Sequence, residues 1–155
     1  MRIVVTGSAG LVGTNLIPPL KKRGHEIVGV DRHSGTPDAA DHVVLGDLAD
    51  ADVREEAMED ADAIFHLAAA KDDWGIDDDT FFFENLEITR RLIEDARERD
   101  IHDWIFYSSV AAMGPGDEPR SEEAALKPNG AYGTSKIRAE WLFREYAEDV
   151  PEMSC

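Results

Sequence analysis

A chain of 155 residues with 43% hydrophobic content is long enough for one domain with a fair core, and the composition suits a globular α/β protein. Its 33 Asp and Glu stand against 16 Lys and Arg, a formal net charge of −17. Such a surface repels nucleic acid and anionic membranes, so neither is expected as a partner.

Only five of the cations are lysines, and a carboxylate excess of this kind points to a salt-rich, halophilic setting in which self-repulsion is screened. No charged segment followed by an apolar stretch opens the chain, and no apolar run is long enough to span a bilayer, so a cytoplasmic location is expected. Cys155 is the one cysteine, which excludes an intrachain disulfide or a thiolate cluster.

The first predicted strand, 2–6, runs directly into Thr6-Gly7-Ser8-Ala9-Gly10-Leu11-Val12-Gly13. Glycines at Gly7, Gly10 and Gly13 permit a sharp strand-to-helix turn, close approach of backbone to a pyrophosphate, and tight packing of helix on sheet. The free N–H groups and partial positive charge of a helix start then face the phosphates. Small residues also make ordinary strand-to-helix turns, so the triad alone does not decide the matter. Within the helix expected over 11–23, Pro18-Pro19 predicts a kink or short break, since an interior proline costs about 3 kcal/mol in an isolated helix.

The second strand, 26–31, ends in Asp31. The interval from Gly13 is close to the roughly 20 residues that separate a glycine turn from the acid that holds an adenosine ribose. A carboxylate there accepts from both ribose hydroxyls and repels a 2′-phosphate, which favours NAD over NADP. Arg32 beside it keeps the alternative open, because a guanidinium suits a 2′-phosphate. The third strand, 42–46, delivers Asp47-Leu48, and the fourth, 62–67, delivers His66-Leu67-Ala68-Ala69. Both lie at the carboxyl edge, where an α/β sheet places its ligands. Asp47 can accept from an adenine amino group while Leu48 packs on the ring, and Ala68 and Ala69 let a cofactor lie against backbone. Asp-Leu is also a common loop pair and Ala-Ala a common packing pair. His66 reads as a structural strand-end residue. The clusters Asp72-Asp73 and Asp77-Asp78-Asp79 read as solvated faces, and no metal is expected because no His or Cys falls at ligand spacing near them.

Further helices are predicted over 51–59, 79–99 and 131–148, with a fifth strand over 103–108. This alternation is the pattern of a parallel sheet covered on both faces. Right-handed crossovers give a doubly wound, Rossmann-like α/β domain over 1–155 with strand order 3-2-1-4-5 and the glycine turn at its switch point. The fifth strand brings Ser108 and Ser109 to the same edge, and Tyr132-Gly133-Thr134-Ser135-Lys136 follows. Tyr132 and Lys136 share one helix face. A phenol is a poor base at neutral pH, but an adjacent ammonium and a positive nicotinamide ring stabilise its phenolate. Tyr132 can then take or return the proton of a substrate hydroxyl, with Ser109 holding the same oxygen. As a lone pattern, Tyr-x-x-x-Lys arises by chance on many helices.

In this order the elements resemble the short-chain dehydrogenase/reductase superfamily, in its extended branch of NAD-dependent epimerases and dehydratases, over essentially the whole chain. The likeness rests on the glycine turn at 6–13, Asp31-Arg32, Asp47-Leu48, His66 to Ala69, Tyr107-Ser108-Ser109 with Gly114 after it, and 132–136. The approach from Ser121, with Glu122, Pro128 and Asn129, looks similar too. The resemblance implies a catalytic set of Ser109, Tyr132 and Lys136, with Asn85 near them. It implies that NAD touches Gly7, Gly10, Leu11, Val12, Gly13, Asp31, Arg32, Asp47, Leu48, Leu67, Ala68 and Ala69. Tyr132 and Lys136 are expected to touch it too, and Lys71 to meet a cofactor phosphate.

Two local departures stand out. Ile88 occupies a position where many relatives have glycine in Asn-x-x-Gly-Thr, and Met113 replaces a common tyrosine, which alters the substrate-side wall. Extended-branch members also continue into a carboxyl-terminal substrate lobe. The expectation is a domain cut off before that lobe, its fifth strand an unprotected edge, with a homodimer as one way to cover it. The functional expectation is redox chemistry at a sugar or nucleotide-sugar hydroxyl, as a dehydrogenase or within epimerisation or dehydration. The alternative is a non-catalytic dinucleotide-binding or sensor domain.

Overall fold

The computed structural model describes residues 1–71, 75–116, 119–121 and 124–155. The expectations for Asp72, Asp73 and Glu122 lie outside the described residues. In chain order the elements are β1 (Arg2–Thr6), α1 (Leu11–Lys22), β2 (Glu26–Asp31), β3 (His42–Leu45), α2 (Ala51–Met58) and β4 (Ala63–His66). There follow α3 (Asp78–Phe82), a π-helical segment (Phe83–Glu87), α4 (Ile88–Glu98), β5 (Asp103–Phe106), a 3-10 turn (Val110–Ala112) and α5 (Ala131–Asp149).

The strands pair in parallel in the order β3-β2-β1-β4-β5, as the sequence predicts. Successive residues of β1 and β2 are buried, which requires cover on both faces. Ile3, Val5 and Ile27 pack with Ile17 and Leu20 of α1, while Val4, Val28 and Ile64 pack on the opposite face with Leu92 of α4 and Phe143 of α5. The register sets Thr6 opposite both Val30 and His66, and His66 opposite Phe106. The carboxyl ends of β1, β2, β4 and β5 are therefore level, and the loops leaving them share one rim.

Three expectations are corrected. Of the kink or short break expected at Pro18-Pro19, the break is absent, and helix α1 continues through both. Both prolines lie on its exposed side, where water takes up the carbonyls that lose a donor, while buried Gly13, Ile17 and Leu20 hold the helix to the sheet. The single helix expected over 79–99 is interrupted by the π segment, a geometry that pattern reading does not distinguish from an ordinary helix. The outer edge of β5 is partly paired. Ser154 bridges Asp103 in parallel, Trp104 N donates to Ser154 O at 2.8 Å, and Ser154 N donates to His102 O at 3.0 Å. Among the described residues, no helix is long and apolar enough to cross a membrane.

Candidate active site

A cleft of about 530 Å³ opens at the rim, between the glycine turn and the ends of β2, β3 and β4. Gly7 sits at φ +67°, and a Cβ there would lie 2.8 Å from Ala68 N, so only glycine lets the turn rest against the β4 end. A Cβ on Gly13 would lie 2.6 Å from the Gly7 and Ser8 carbonyl oxygens. Gly13 therefore underlies the cleft without lining it. Helix α1 begins with no side-chain cap and no acid in its first turn, which leaves orphan N–H donors and the positive helix end at the cleft mouth. Gly7, Gly10, Leu11, Val12, Asp31, Arg32, Asp47, Leu48, Leu67, Ala68, Ala69 and Lys71 all line this space. Tyr132 and Lys136, expected to reach the cofactor as well, fall outside that lining.

Asp31 is fixed by two backbone donors, Ala9 N to Oδ2 at 3.0 Å and His33 N to Oδ1 at 2.9 Å. Each oxygen keeps a lone pair for a ribose hydroxyl. Arg32 turns to acids instead, donating from Nη1 to Glu84 at 2.9 Å and Asp47 at 3.4 Å. The remaining Asp47 oxygen accepts from Ala49 N at 2.8 Å. An uncapped helix start, a floor of glycine and alanine and an oriented carboxylate together fit an adenine dinucleotide.

Past β5, the Ser109 hydroxyl oxygen accepts from Ala111 N at 3.2 Å and starts the 3-10 turn. The start of α5 packs on that turn, because a Cβ on Gly133 would lie 2.5 Å from Ala111 O. The 3-10 turn that Ser109 starts and the first turn of α5, which carries Tyr132, therefore lie side by side. Ser109, Met113, Glu140 and Arg144 border a second cavity of about 730 Å³, so Met113 does form part of the wall beside Ser109. Ser108 Oγ donates to Glu140. Tyr132 is half-buried, its ring 5.8 Å from that of Phe81.

Lys136 is 2% exposed, with Nζ 4.3 Å from the centre of the Phe106 ring, and among the described residues it has no ion-pair partner within 4.0 Å. Burial lowers its pKa to about 8, against the opposing pull of Glu140 one turn on.

Behind both clefts runs a chain of buried hydrogen bonds. Thr6 Oγ1 accepts from Leu67 N at 3.2 Å and Ala68 N at 3.1 Å, so its proton goes to His66 Nδ1 at 2.8 Å. His66 Nε2 then donates to Thr89 Oγ1 at 3.0 Å, and Thr89 donates to Asn85 O at 2.7 Å. His66 is accordingly neutral. Burial, with the nearby Lys136 charge, lowers its pKa to about 3. The Asn85 amide accepts from Ala70 N at 2.8 Å and donates to Ala70 O at 2.9 Å and Ser135 Oγ at 3.1 Å. Ser135 donates to Tyr132 O at 2.8 Å. Asn85 thus spends its amide on Ala70 and Ser135, and ties the β4 loop to the turn of α5 that carries Tyr132.

Sequence reasoning missed Glu84, Thr89 and Ser135. Glu84 has no local signal, since its partner lies 52 positions away. Thr89 and Ser135 are small hydroxyl residues on helices whose partners only the fold supplies.

A family model described as the NAD dependent epimerase/dehydratase family matches residues 3–154. UDP-glucose 4-epimerase of Mycolicibacterium smegmatis is 31% identical over 169 residues, covering 100% of this chain and 54% of that protein. D-erythronate dehydrogenase of Cupriavidus necator is 31% identical over 164 residues, covering 95% and 51%. A crystal structure of a short-chain dehydrogenase/reductase superfamily protein from Agrobacterium tumefaciens with bound NAD matches with a TM-score of 0.88 at 31% identity, covering 99% of this chain and 47% of that one. The chain spans about half the length of these relatives.

Proposed function

The chain belongs to the NAD dependent epimerase/dehydratase family, and on that premise we propose that it holds NAD in the glycine-turn cleft and exchanges the proton of a sugar or nucleotide-sugar hydroxyl through Tyr132. When bound, NAD supplies the two-electron acceptor and donor. The substrate class follows the relative named for UDP-glucose, the relative named for D-erythronate acting instead on a sugar acid.

The observation that carries this reading is Lys136, a lysine 2% exposed over an aromatic face. Burying an ammonium without a paired carboxylate is costly, and such a placement marks a group held for a task. Lys136 lies one helical turn from Tyr132 on the same helix face, and we read the two as the pair that exchanges a proton with the substrate oxygen. Ser109 donates to the same oxygen. With a pKa of about 8, Lys136 is an ammonium at neutral pH and loses that charge as pH rises above it, so turnover declines on the basic side.

Steady-state assay with NAD over a panel of sugars and nucleotide-sugars tests the reading. Tyr132→Phe is expected to lower kcat by roughly 10²- to 10⁴-fold while retaining affinity for NAD. NAD binding without turnover on any substrate would instead mark a dinucleotide-binding module.

A further inference from the structure

Arg32 directly follows the carboxylate that meets the adenosine ribose, and a guanidinium in that position has the donor geometry for a 2′-phosphate. It is already engaged. Its Nη1 donates to Glu84 at 2.9 Å and to Asp47 at 3.4 Å, and Arg32, Glu84 and Asp47 all border the cleft. The Glu84 side chain is 17% exposed against 47% for Arg32, so the acid is the anchored member of the pair. Its anchorage comes from the π segment, where the next residue, Asn85, is locked to Ala70 and Ser135.

We propose that Glu84 is a specificity-determining residue that makes the cleft selective for the cofactor with a free 2′-hydroxyl, by holding the Arg32 guanidinium away from a 2′-phosphate. A phosphate entering beside Asp31 must displace Glu84 from the arginine, and then faces the freed Glu84 carboxylate as well as Asp31 and Asp47. A ribose hydroxyl meets no such opposition, because it needs only the Asp31 lone pairs. Exposed ion pairs contribute little to folding, but discrimination depends on the difference between two ligands, and a misplaced like charge weighs fully on one of them. The proposal rests on NAD occupying the cleft.

Calorimetric titration of the chain with NAD and with NADP reads the ratio of the two dissociation constants. Glu84→Gln keeps the shape and removes the charge, and is expected to shift that ratio roughly tenfold toward NADP at low salt. The shift shrinks as ionic strength rises. Adding Arg32→Ala to Glu84→Gln removes most of the gain, because the released guanidinium is its main source and the lost Glu84 charge supplies only the remainder. Asp47→Asn, which removes the longer contact, moves the ratio in the same direction by less and supplies the test if Glu84→Gln does not fold. An unmoved ratio, or a gain undiminished by the loss of Arg32, overturns the proposal while leaving NAD binding intact. Failure of the unmodified chain to bind NAD overturns the cofactor reading and this proposal together.

Discussion

Acid should weaken the fold through a single imidazole. His66 is 1% exposed, bonded on both nitrogens to threonine hydroxyls, and its pKa falls from 6.5 to about 3, chiefly by burial and secondarily by the Lys136 charge. The folded-state value lies below the unfolded one, so the unfolded chain binds the extra proton throughout the interval between them. Stability from this group is complete above 6.5 and is lost as pH falls toward 3, by about 1.4 kcal/mol per unit in mid-interval. Between pH 7 and pH 5 the loss from this residue alone is about 2 kcal/mol. Other ionisable groups contribute to the pH dependence as well, so the measurement is a difference. Urea unfolding of the native chain and of His66→Gln, followed by circular dichroism at constant ionic strength, gives the two stabilities at each pH. Glutamine can accept from Thr6 and donate to Thr89 without titrating. The variant is expected to be the less stable at pH 7, with the gap closing by about 2 kcal/mol at pH 5. A gap that stays constant across that range refutes the neutral, buried imidazole.

Two further substitutions probe the same framework. Gly7→Ala places a Cβ 2.8 Å from Ala68 N at a left-handed backbone position, and is expected to cost about 2 kcal/mol in urea unfolding with a matching loss of NAD affinity by calorimetry. A variant that binds NAD normally would show that the turn is not pressed against β4. Asn85→Ala strips partners from Ala70 N, Ala70 O and Ser135, and is expected to lower stability by about 3 kcal/mol. A loss under about 1 kcal/mol would mean that water replaces the amide.

The sheet was readable because its determinants are local. Buried β-branched runs mark β1 and β2, and three glycines and a terminal acid mark the turn and the rim. What escaped depends mostly on distance or on phase. The acidic run at Asp77 reads as a solvated face and is exposed, and Asp77 in addition caps α3, accepting from Thr80 N at 2.8 Å. That signal was local, an Asp three positions before a Thr amide at a helix start. Arg32 reads as a residue suited to a 2′-phosphate whose claim Asp31 outweighs, and only the fold brings Glu84 to it. The prolines of α1 were judged by helix propensity, whereas the packing of one buried stripe decides a short helix. His66 reads correctly as structural, but the two threonines that fix its tautomer come from strand and helix far apart in the chain.

The π turn at Phe83–Glu87 has a consequence for how the two halves of the rim keep time with each other. One surplus residue in a helix advances everything beyond it by about 100° of rotation, so α3 and α4 present faces that an uninterrupted helix would not combine. Shortening this stretch by a single residue would therefore do more than trim a loop. It would rotate Glu84 and Asn85 relative to Thr89, so that the ribose end and the α5 end of the molecule would no longer be served from neighbouring rungs of one coil.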